Sequence, residues 1–169
     1  MRPQFEHGSV AASLLIVRQM TERRLRIAIV EDEVILAMAL TLMLEDWGHQ
    51  VVGTANSEAD ALALFHATQP DAVIMDVRLG RRDSGLRAAT LMRSLSDVPI
   101  VFCTAYADTP AIQAEVREIG NTHLLGKPVD ENQFEYLLRT IERRQGRMAA
   151  ASSVVSRFAP VLQTASNDL

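Results

Sequence analysis

The sequence predicts an α/β fold in which a doubly wound parallel sheet is covered by helices on both faces. From Arg26 onward, short apolar runs alternate five times with segments whose apolar residues recur at helical spacing. Because each helix returns the chain to the same edge, successive strands of this pattern run parallel. The runs predicted as strands are residues 26–31, 51–55, 72–76, 100–104 and 123–126.

The first three predicted helices have recognisable boundaries. Gly48 ends the first helix, whose core stripe comprises Leu36, Leu40, Met43, Leu44 and Trp47. Ser57 is suited to cap the second helix, which cannot continue past Pro70. The third helix is predicted over residues 86–95.

The last two helices begin with capping signals. Thr109 is predicted to cap the fourth helix, with Pro110 at its first position and Gly120 after its last. Asp130 and Gln133 have the spacing of a capping box, which predicts the start of the fifth helix.

The first helix also carries a second apolar stripe, formed by Ile35, Met38 and Leu42. Three explanations remain open at this point. The stripe packs against residues 10–20, it forms a homodimer contact, or the helix is buried by its own sheet more deeply than usual.

Composition excludes several classes of protein. The 169 residues are 48% hydrophobic and carry a net charge of −4, and the absence of a basic stripe argues against nucleic-acid binding. The apolar run over residues 10–17 is too short for a membrane helix, which needs about 20 residues, and it lacks a signal-peptide cleavage pattern. The single cysteine, Cys103, lies in a predicted core strand. We therefore expect a cytoplasmic protein that does not bind membranes.

Polar side chains follow four of the predicted strands. Glu31 and Asp32 come after the first strand, Asp76 ends the third, Thr104 ends the fourth and Lys127 follows the fifth. The carboxyl ends of parallel strands share one edge of a sheet, where α/β proteins bind their ligands. Each residue alone has an ordinary explanation, such as a helix cap or a solvated lysine. Together they predict a ligand-binding site with three carboxylates, a hydroxyl and an ammonium at this edge.

Four motifs contain these residues: Ile29-Val30-Glu31-Asp32-Glu33, Met75-Asp76, Phe102-Cys103-Thr104-Ala105 and Lys127-Pro128. In this order and spacing they resemble the motifs of the receiver domain of two-component response regulators, over residues 26–145. The resemblance implies a flavodoxin-like (βα)5 fold with strand order 2-1-3-4-5.

The resemblance also implies a metal site and a phosphoacceptor. Asp76 would be the nucleophile that becomes phosphorylated. Mg²⁺, or Mn²⁺, would be bound directly by Asp32 and Asp76, through a water by Glu31, and by the backbone carbonyl of Arg78. Convergent carboxylates of this kind repel one another unless a cation lies among them.

Two further residues would contact the phosphoryl group. By resemblance, Lys127 would pair with one phosphoryl oxygen, and Thr104 would turn its hydroxyl to another. The peptide bond between Lys127 and Pro128 is commonly cis in the family, which we expect here as well.

The chain departs from the usual family pattern at its switch position. Many receivers have an aromatic residue three positions before the lysine, where this chain has Leu124. Phe102-Cys103-Thr104-Ala105-Tyr106 is similar to the Phe-Ala-Thr-Gly-Tyr-like motif of single-domain receivers that lack this aromatic switch. Tyr106 is therefore a candidate substitute switch, and a rim aromatic that limits solvent access is the alternative. Because Arg78 and Tyr106 are bulky, we also expect slow autodephosphorylation.

The predicted protein has three segments. Residues 1–24 form an N-terminal extension, in which residues 10–20 have the spacing of a short amphipathic helix, and Met20 is an alternative initiator. Residues 25–145 form the receiver domain. Residues 146–169 form a tail without a separate output domain.

The predicted function is that of a stand-alone response regulator. A histidine kinase or a histidine phosphotransfer protein would phosphorylate Asp76, and protein contacts would carry the signal. Within the family the alternative is a phosphate sink without output. A metal-dependent phosphohydrolase is a second alternative, although Arg78 occupies the position where such enzymes place a second carboxylate. A nucleotide-binding module is disfavoured because no glycine-rich loop follows the first strand.

Overall fold

The computed structural model describes residues 24–164, with side chains over residues 24–147. The predicted helix over residues 10–20 lies outside the described residues, as does most of the predicted extension. Arg24–Ile141 forms one compact unit, and the chain from Glu142 onward belongs to a second unit. The first unit contains the sheet and the candidate site.

The compact unit contains five parallel strands and one short antiparallel pair. The strands are β1 Arg26–Val30, β2 Gln50–Ala55, β3 Ala72–Met75, β4 Arg78–Leu79, β5 Asp83–Ser84, β6 Ile100–Thr104 and β7 Thr122–Gly126. The sheet has the order β2-β1-β3-β6-β7, whereas β4 and β5 pair only with each other. With that hairpin set aside, the order is the predicted 2-1-3-4-5, and the flavodoxin-like fold is confirmed.

Five helices follow the five sheet strands. They are α1 Val34–Asp46, α2 Glu58–Thr68, α3 Gly85–Leu95, α4 Pro110–Ile119 and α5 Glu131–Thr164. Ser57 caps α2 as predicted, because its hydroxyl accepts from the Asp60 N–H at 3.1 Å. At the start of α5, Asp130 accepts from the Gln133 N–H at 2.8 Å.

The start of α4 at Thr109 and Pro110 is as predicted. Thr109 is the N-cap residue by backbone position, but its side chain makes no capping hydrogen bond. Its own N–H donates to the Tyr106 carbonyl at 3.0 Å, and Pro110 begins the helix with a fixed φ. The turn and the proline therefore define this helix start without a hydroxyl.

Both faces of the sheet are buried, which explains the continuous apolar runs. In β3 every residue is buried, with Val73 and Met75 in one core cluster and Ala72 and Ile74 in the other. Side chains of a strand alternate between faces, so a strand covered on both sides needs an unbroken apolar sequence. Cys103 belongs to the second cluster, as predicted for a packing thiol.

The second apolar stripe of α1 is not buried by its own sheet, so that explanation is wrong. Val34, Ile35, Met38 and Leu42 are between 61% and 81% exposed. The helix instead packs on the sheet through Ala37, Leu40 and Leu44, which are buried. The stripe points away from the sheet because its residues lie on the opposite side of the helix.

Candidate functional site

The predicted site residues meet at the carboxyl edge of the sheet. The parallel ladder continues one residue past the strands: the N–H groups of Glu31 and Asp76 donate to Ala55 and Val30 carbonyls, both at 2.9 Å. The Lys127 N–H donates to the Thr104 carbonyl at the same distance. Backbone hydrogen bonds of the sheet therefore position these functional residues.

Lys127 joins two of the carboxylates. Its Nζ lies 2.7 Å from Glu31 Oε2 and 2.6 Å from Asp76 Oδ2. The Glu31 side chain is only 1% exposed, and those of Asp76 and Lys127 are 13% and 19% exposed. Ion pairs this well shielded are screened less than surface pairs. Lys127 therefore holds the two carboxylates in one geometry.

For both Glu31 and Lys127, burial and the neighbouring charges shift the pKa in opposite directions. Burial raises the pKa of Glu31 above its usual range, and the hydrogen bond and attraction from Lys127 offset only part of this rise. Burial by itself would lower the pKa of Lys127. Its hydrogen bonds to Asp76 and Glu31 outweigh that effect, so the Lys127 pKa is raised and the ammonium stays protonated.

Three carboxylates at this edge form a group suited to a divalent cation. Glu31, Asp32 and Asp76 each offer an oxygen, and these oxygens lie within 4.8 Å of one another. One ammonium against three carboxylates leaves two negative charges without a positive partner in this group. Hard cations such as Mg²⁺ prefer oxygen ligands and need few of them, because Mg²⁺ keeps several waters. The donor set therefore fits such an ion.

The hairpin of β4 and β5 contacts two of these carboxylates through its backbone. The Arg78 N–H donates to Asp76 Oδ1 at 3.2 Å, and the Gly80 N–H donates to Asp32 Oδ2 at 3.0 Å. Gly80 has a φ of +65°, a left-handed conformation that glycine adopts without strain. This hairpin is not among the elements predicted from the sequence, and Gly80 is the residue that could have indicated a turn there.

Gly85 is needed where α3 begins beside the site. A Cβ atom at this position would lie 1.9 Å from the Asp76 carbonyl oxygen, well inside van der Waals contact. The Gly85 N–H also donates to the Val77 carbonyl at 2.9 Å. The first turn of α3 is thus packed directly against the backbone of Asp76.

Arg78 and Tyr106 contact each other across the loops around the site. The Arg78 guanidinium donates to the Tyr106 hydroxyl at 3.2 Å and lies 5.2 Å from the ring centroid, a cation–π distance. Thr104 is buried, and its hydroxyl oxygen accepts from the Tyr106 N–H at 3.4 Å. Tyr106 is thus linked both to Arg78 and to Thr104.

The remaining predicted positions have clear locations. Leu124 is partly buried and packs against the core cluster that contains Phe102 and Val116. The Lys127–Pro128 peptide bond is cis, as the resemblance implies. Burial raises the pKa of the Cys103 thiol to about 12, although Lys127 opposes part of that rise. Cys103 is therefore a packing residue and not a nucleophile.

Comparison with known proteins gives a consistent family match. The family model of the response regulator receiver domain matches residues 27–139. The transcriptional regulatory protein PdtaR of Mycobacterium tuberculosis is 32% identical over 139 residues, which cover 82% of this chain and 67% of PdtaR. The phyllosphere-induced regulator PhyR of Methylorubrum extorquens is 34% identical over 83 residues, which cover 48% of this chain and 31% of PhyR.

The fold also matches that of a solved structure. The REC domain of the PhyR response regulator from Erythrobacter litoralis superposes with a TM-score of 0.62 at 26% identity. The alignment covers 70% of this chain and 89% of that domain. The matched segment is about two thirds of PdtaR and less than one third of the Methylorubrum extorquens PhyR.

Proposed function

The chain belongs to the response regulator receiver domain family, and we propose that Asp76 is its phosphoacceptor. The observation that carries this proposal is the Lys127 ammonium between Asp76 and Glu31, at the strand edge where Asp32 also lies. Phosphoryl transfer needs a nucleophile, neutralisation of charge and fixed alignment. Asp76 would be the nucleophile, Lys127 would align it and neutralise part of the charge, and a bound cation would neutralise the rest.

The Asp76 carboxylate would act as the nucleophile. Its Oδ2 is held by Lys127 and its Oδ1 by the Arg78 N–H, so both oxygens have defined positions. An oxygen of Asp76 forms a bond to phosphorus while the phosphorus–nitrogen bond of a phosphohistidine donor breaks. The imidazole leaves and takes up a proton, and an acyl phosphate remains on Asp76.

Thr104 and Lys127 would contact the transferred group. The Thr104 oxygen accepts from the Tyr106 N–H, which leaves its hydroxyl proton free to donate to a phosphoryl oxygen. The raised pKa of Lys127 keeps the ammonium charged for the same purpose. Both interactions could form without rearranging the sheet, since both residues belong to the ladder edge.

Asp32, Asp76 and Glu31 would hold Mg²⁺ or Mn²⁺, Glu31 through a water, together with the Arg78 carbonyl. Such an ion supplies neutralisation of the phosphoryl charge when it is bound. The excess of negative charge in the carboxylate group supports this assignment.

The proposed partners are a histidine kinase or a histidine phosphotransfer protein as donor, and a second protein that receives the signal. PhyR of Bartonella quintana, a structural neighbour at 25% identity, is described as an anti-anti-sigma factor, which supports output through protein contact. Within the described residues, no helix has the length and apolar character needed to cross a bilayer. We propose a cytoplasmic regulator, with Tyr106 as the candidate switch in place of an aromatic at position 124.

Incubation with Mg²⁺ and acetyl phosphate tests the phosphoacceptor. We expect one phosphoryl group per chain by intact mass, stable in acid and labile in base, on the wild type. Asp76→Asn should abolish the label, whereas Asp46→Asn, at the exposed end of α1, should leave it unchanged.

Two results would contradict the proposal. An unlabelled wild type in the presence of Mg²⁺ would exclude Asp76 as an acceptor from small donors. Steady release of phosphate over many turnovers would instead favour the metal-dependent phosphohydrolase, which the arginine at position 78 disfavours.

A further inference from the structure

A groove bounded by α2, α3 and α4 lies outside the candidate site. Its volume is about 680 Å³, within the range of natural ligand sites. Residues from all three helices and from β5 line it, among them Glu58, Ser84, Leu86, Leu91, Glu115 and Ile119. None of these residues has a role in the proposed phosphorylation.

The groove has an apolar strip and an acidic rim. Leu86 and Ile119 are buried or partly buried, while Leu91 is 46% exposed. Glu115 and Glu118 are exposed on α4, one helical turn apart, and neither forms an ion pair within the described part of the chain. This side of the groove therefore carries uncompensated negative charge beside accessible apolar surface.

On the opposite wall of the groove, the negative charge of Glu58 is paired with Arg87. Glu58 on α2 lies 3.3 Å from Arg87 on α3, and the Glu58 side chain is only 14% exposed. One arginine against Glu58, Glu115 and Glu118 leaves two negative charges around the groove. A nucleic acid or an anionic metabolite would be repelled by this surface.

We propose that this groove docks a basic, amphipathic segment of a partner protein. The apolar face of such a segment would cover Leu91 and Ile119, and its lysine or arginine side chains would pair with Glu115 and Glu118. Recognition of an amphipathic helix by an apolar groove with charged flanks is a common mode of peptide binding. Complementary charge would contribute specificity and a faster association rate.

The β4–β5 hairpin connects this groove to Asp76. Ser84, which lines the groove and caps α3, pairs in the hairpin with Arg78, whose N–H holds Asp76 Oδ1. Asp83 in the same hairpin accepts from the Glu58 N–H at 3.4 Å. The first residue of α3, Gly85, packs against the Asp76 carbonyl. The groove and the phosphoacceptor thus share one short element.

The groove is therefore coupled to the state of Asp76, a step that rests on the proposed function. A phosphoryl group on Asp76 would compete with the Arg78 N–H for the carboxyl oxygen, which would shift the hairpin and the start of α3. Coupling of this kind is reciprocal, so a segment bound in the groove would also alter phosphorylation at Asp76.

A fluorescent synthetic helix of leucine and lysine, with its leucines on one face, serves as the probe for the groove. We expect Glu115→Lys with Glu118→Lys to weaken its binding at least tenfold in fluorescence anisotropy. The control pair, Glu45→Lys with Asp46→Lys, makes the same change in net charge on exposed residues at the end of α1. It should change the affinity less than twofold.

If the two charge-reversal pairs weaken probe binding equally, the proposed docking site is refuted, because the probe is then attracted by the overall negative charge of the protein. The docking site would also be refuted if the probe changed the NMR shifts of backbone amides in α1 or α5 and not those of Leu91 and Ile119. Leu91→Asn tests the apolar strip without a change of charge and should weaken the same probe. A probe of scrambled sequence should bind no variant.

The coupling is measured with the same probe after phosphorylation by acetyl phosphate and Mg²⁺. We expect the probe affinity to change at least fivefold in the wild type and to stay constant in Asp76→Asn. Labelling without a change in affinity would refute the coupling. A chain that takes no label would refute the proposed function and the coupling with it. In that case the charge-reversal pair would still test whether the groove docks the probe.

Discussion

Gly85→Ala is the most direct test of how α3 is packed against the site. The new Cβ would lie 1.9 Å from the Asp76 carbonyl oxygen and 3.0 Å from Met75 Cγ, and real Cβ atoms are not found below 3.0 Å. The helix start or the Asp76 backbone must therefore move by about 1 Å. We expect a loss of about 1–3 kcal/mol in the free energy of unfolding, the usual result of overpacking.

Stability and labelling measure this prediction together. The thermal midpoint should fall by about 2–4 °C for each kcal/mol lost, in a chain of this size. Labelling of Asp76 by acetyl phosphate should slow by about 10- to 100-fold, because a shift of 1 Å at a reacting group has effects of that order. Circular dichroism during heating and intact mass over time give the two values.

Gly146→Ala is the matched control. Gly146 lies within α5, and a Cβ there would meet nothing within 4 Å. Alanine is the better helix former by about 1 kcal/mol, so this variant should be as stable as the wild type or more stable, and should label normally. A Gly85→Ala protein that behaves like Gly146→Ala would refute the packing of α3 against Asp76.

Three further predictions concern protonation and the Arg78–Tyr106 contact. Burial lowers the pKa of His49, and Arg139 and Arg24 lower it further, so folding favours the neutral ring. The stability from His49 should be complete above about pH 6.5 and decline as the pH falls below that value, and urea titrations should show a weaker decline for His49→Gln. Cys103, with a pKa of about 12, should react with a thiol reagent at pH 8 about 10³-fold more slowly in the native protein than in denaturant; rapid native reaction would contradict its burial. Shrinking Arg78 and Tyr106 together to Ala should shorten the phosphoryl half-life about tenfold by admitting water, whereas Tyr106→Phe should retain most of the protection; equal half-lives in all three proteins would exclude a shielding role.

The strands of the sheet followed from the sequence because burial on both faces requires unbroken apolar runs, whereas the strand order was implied by the family resemblance. Residues 72–75 are an unbroken apolar run, and the observed strand ends one residue before the end of the predicted one. The meeting of Asp76 and Lys127 also followed, because parallel topology brings strand ends to one edge.

The hairpin could not be predicted in the same way. Each of its strands has two residues, too few for a periodic signal, and they are defined only by pairing across the loop. The contact of Arg78 with Tyr106 joins residues 28 positions apart through side chains, and no local pattern encodes it. Thr109 and Pro110 show the converse case, where a local signal correctly predicted a helix start although the Thr109 side chain makes no capping hydrogen bond.

The continuation of the ladder past the strands has a consequence for how such a site can persist as sequences diverge. Glu31, Asp76 and Lys127 are each anchored by a backbone N–H, a group that does not depend on the side chains around it. Substitutions between similar apolar residues within the strands change the core packing but leave these anchors in place. A lineage can therefore replace much of its interior while the distances between the reactive groups stay nearly constant. Relatives that are identical to this chain at only about a third of the aligned positions are what such an arrangement permits.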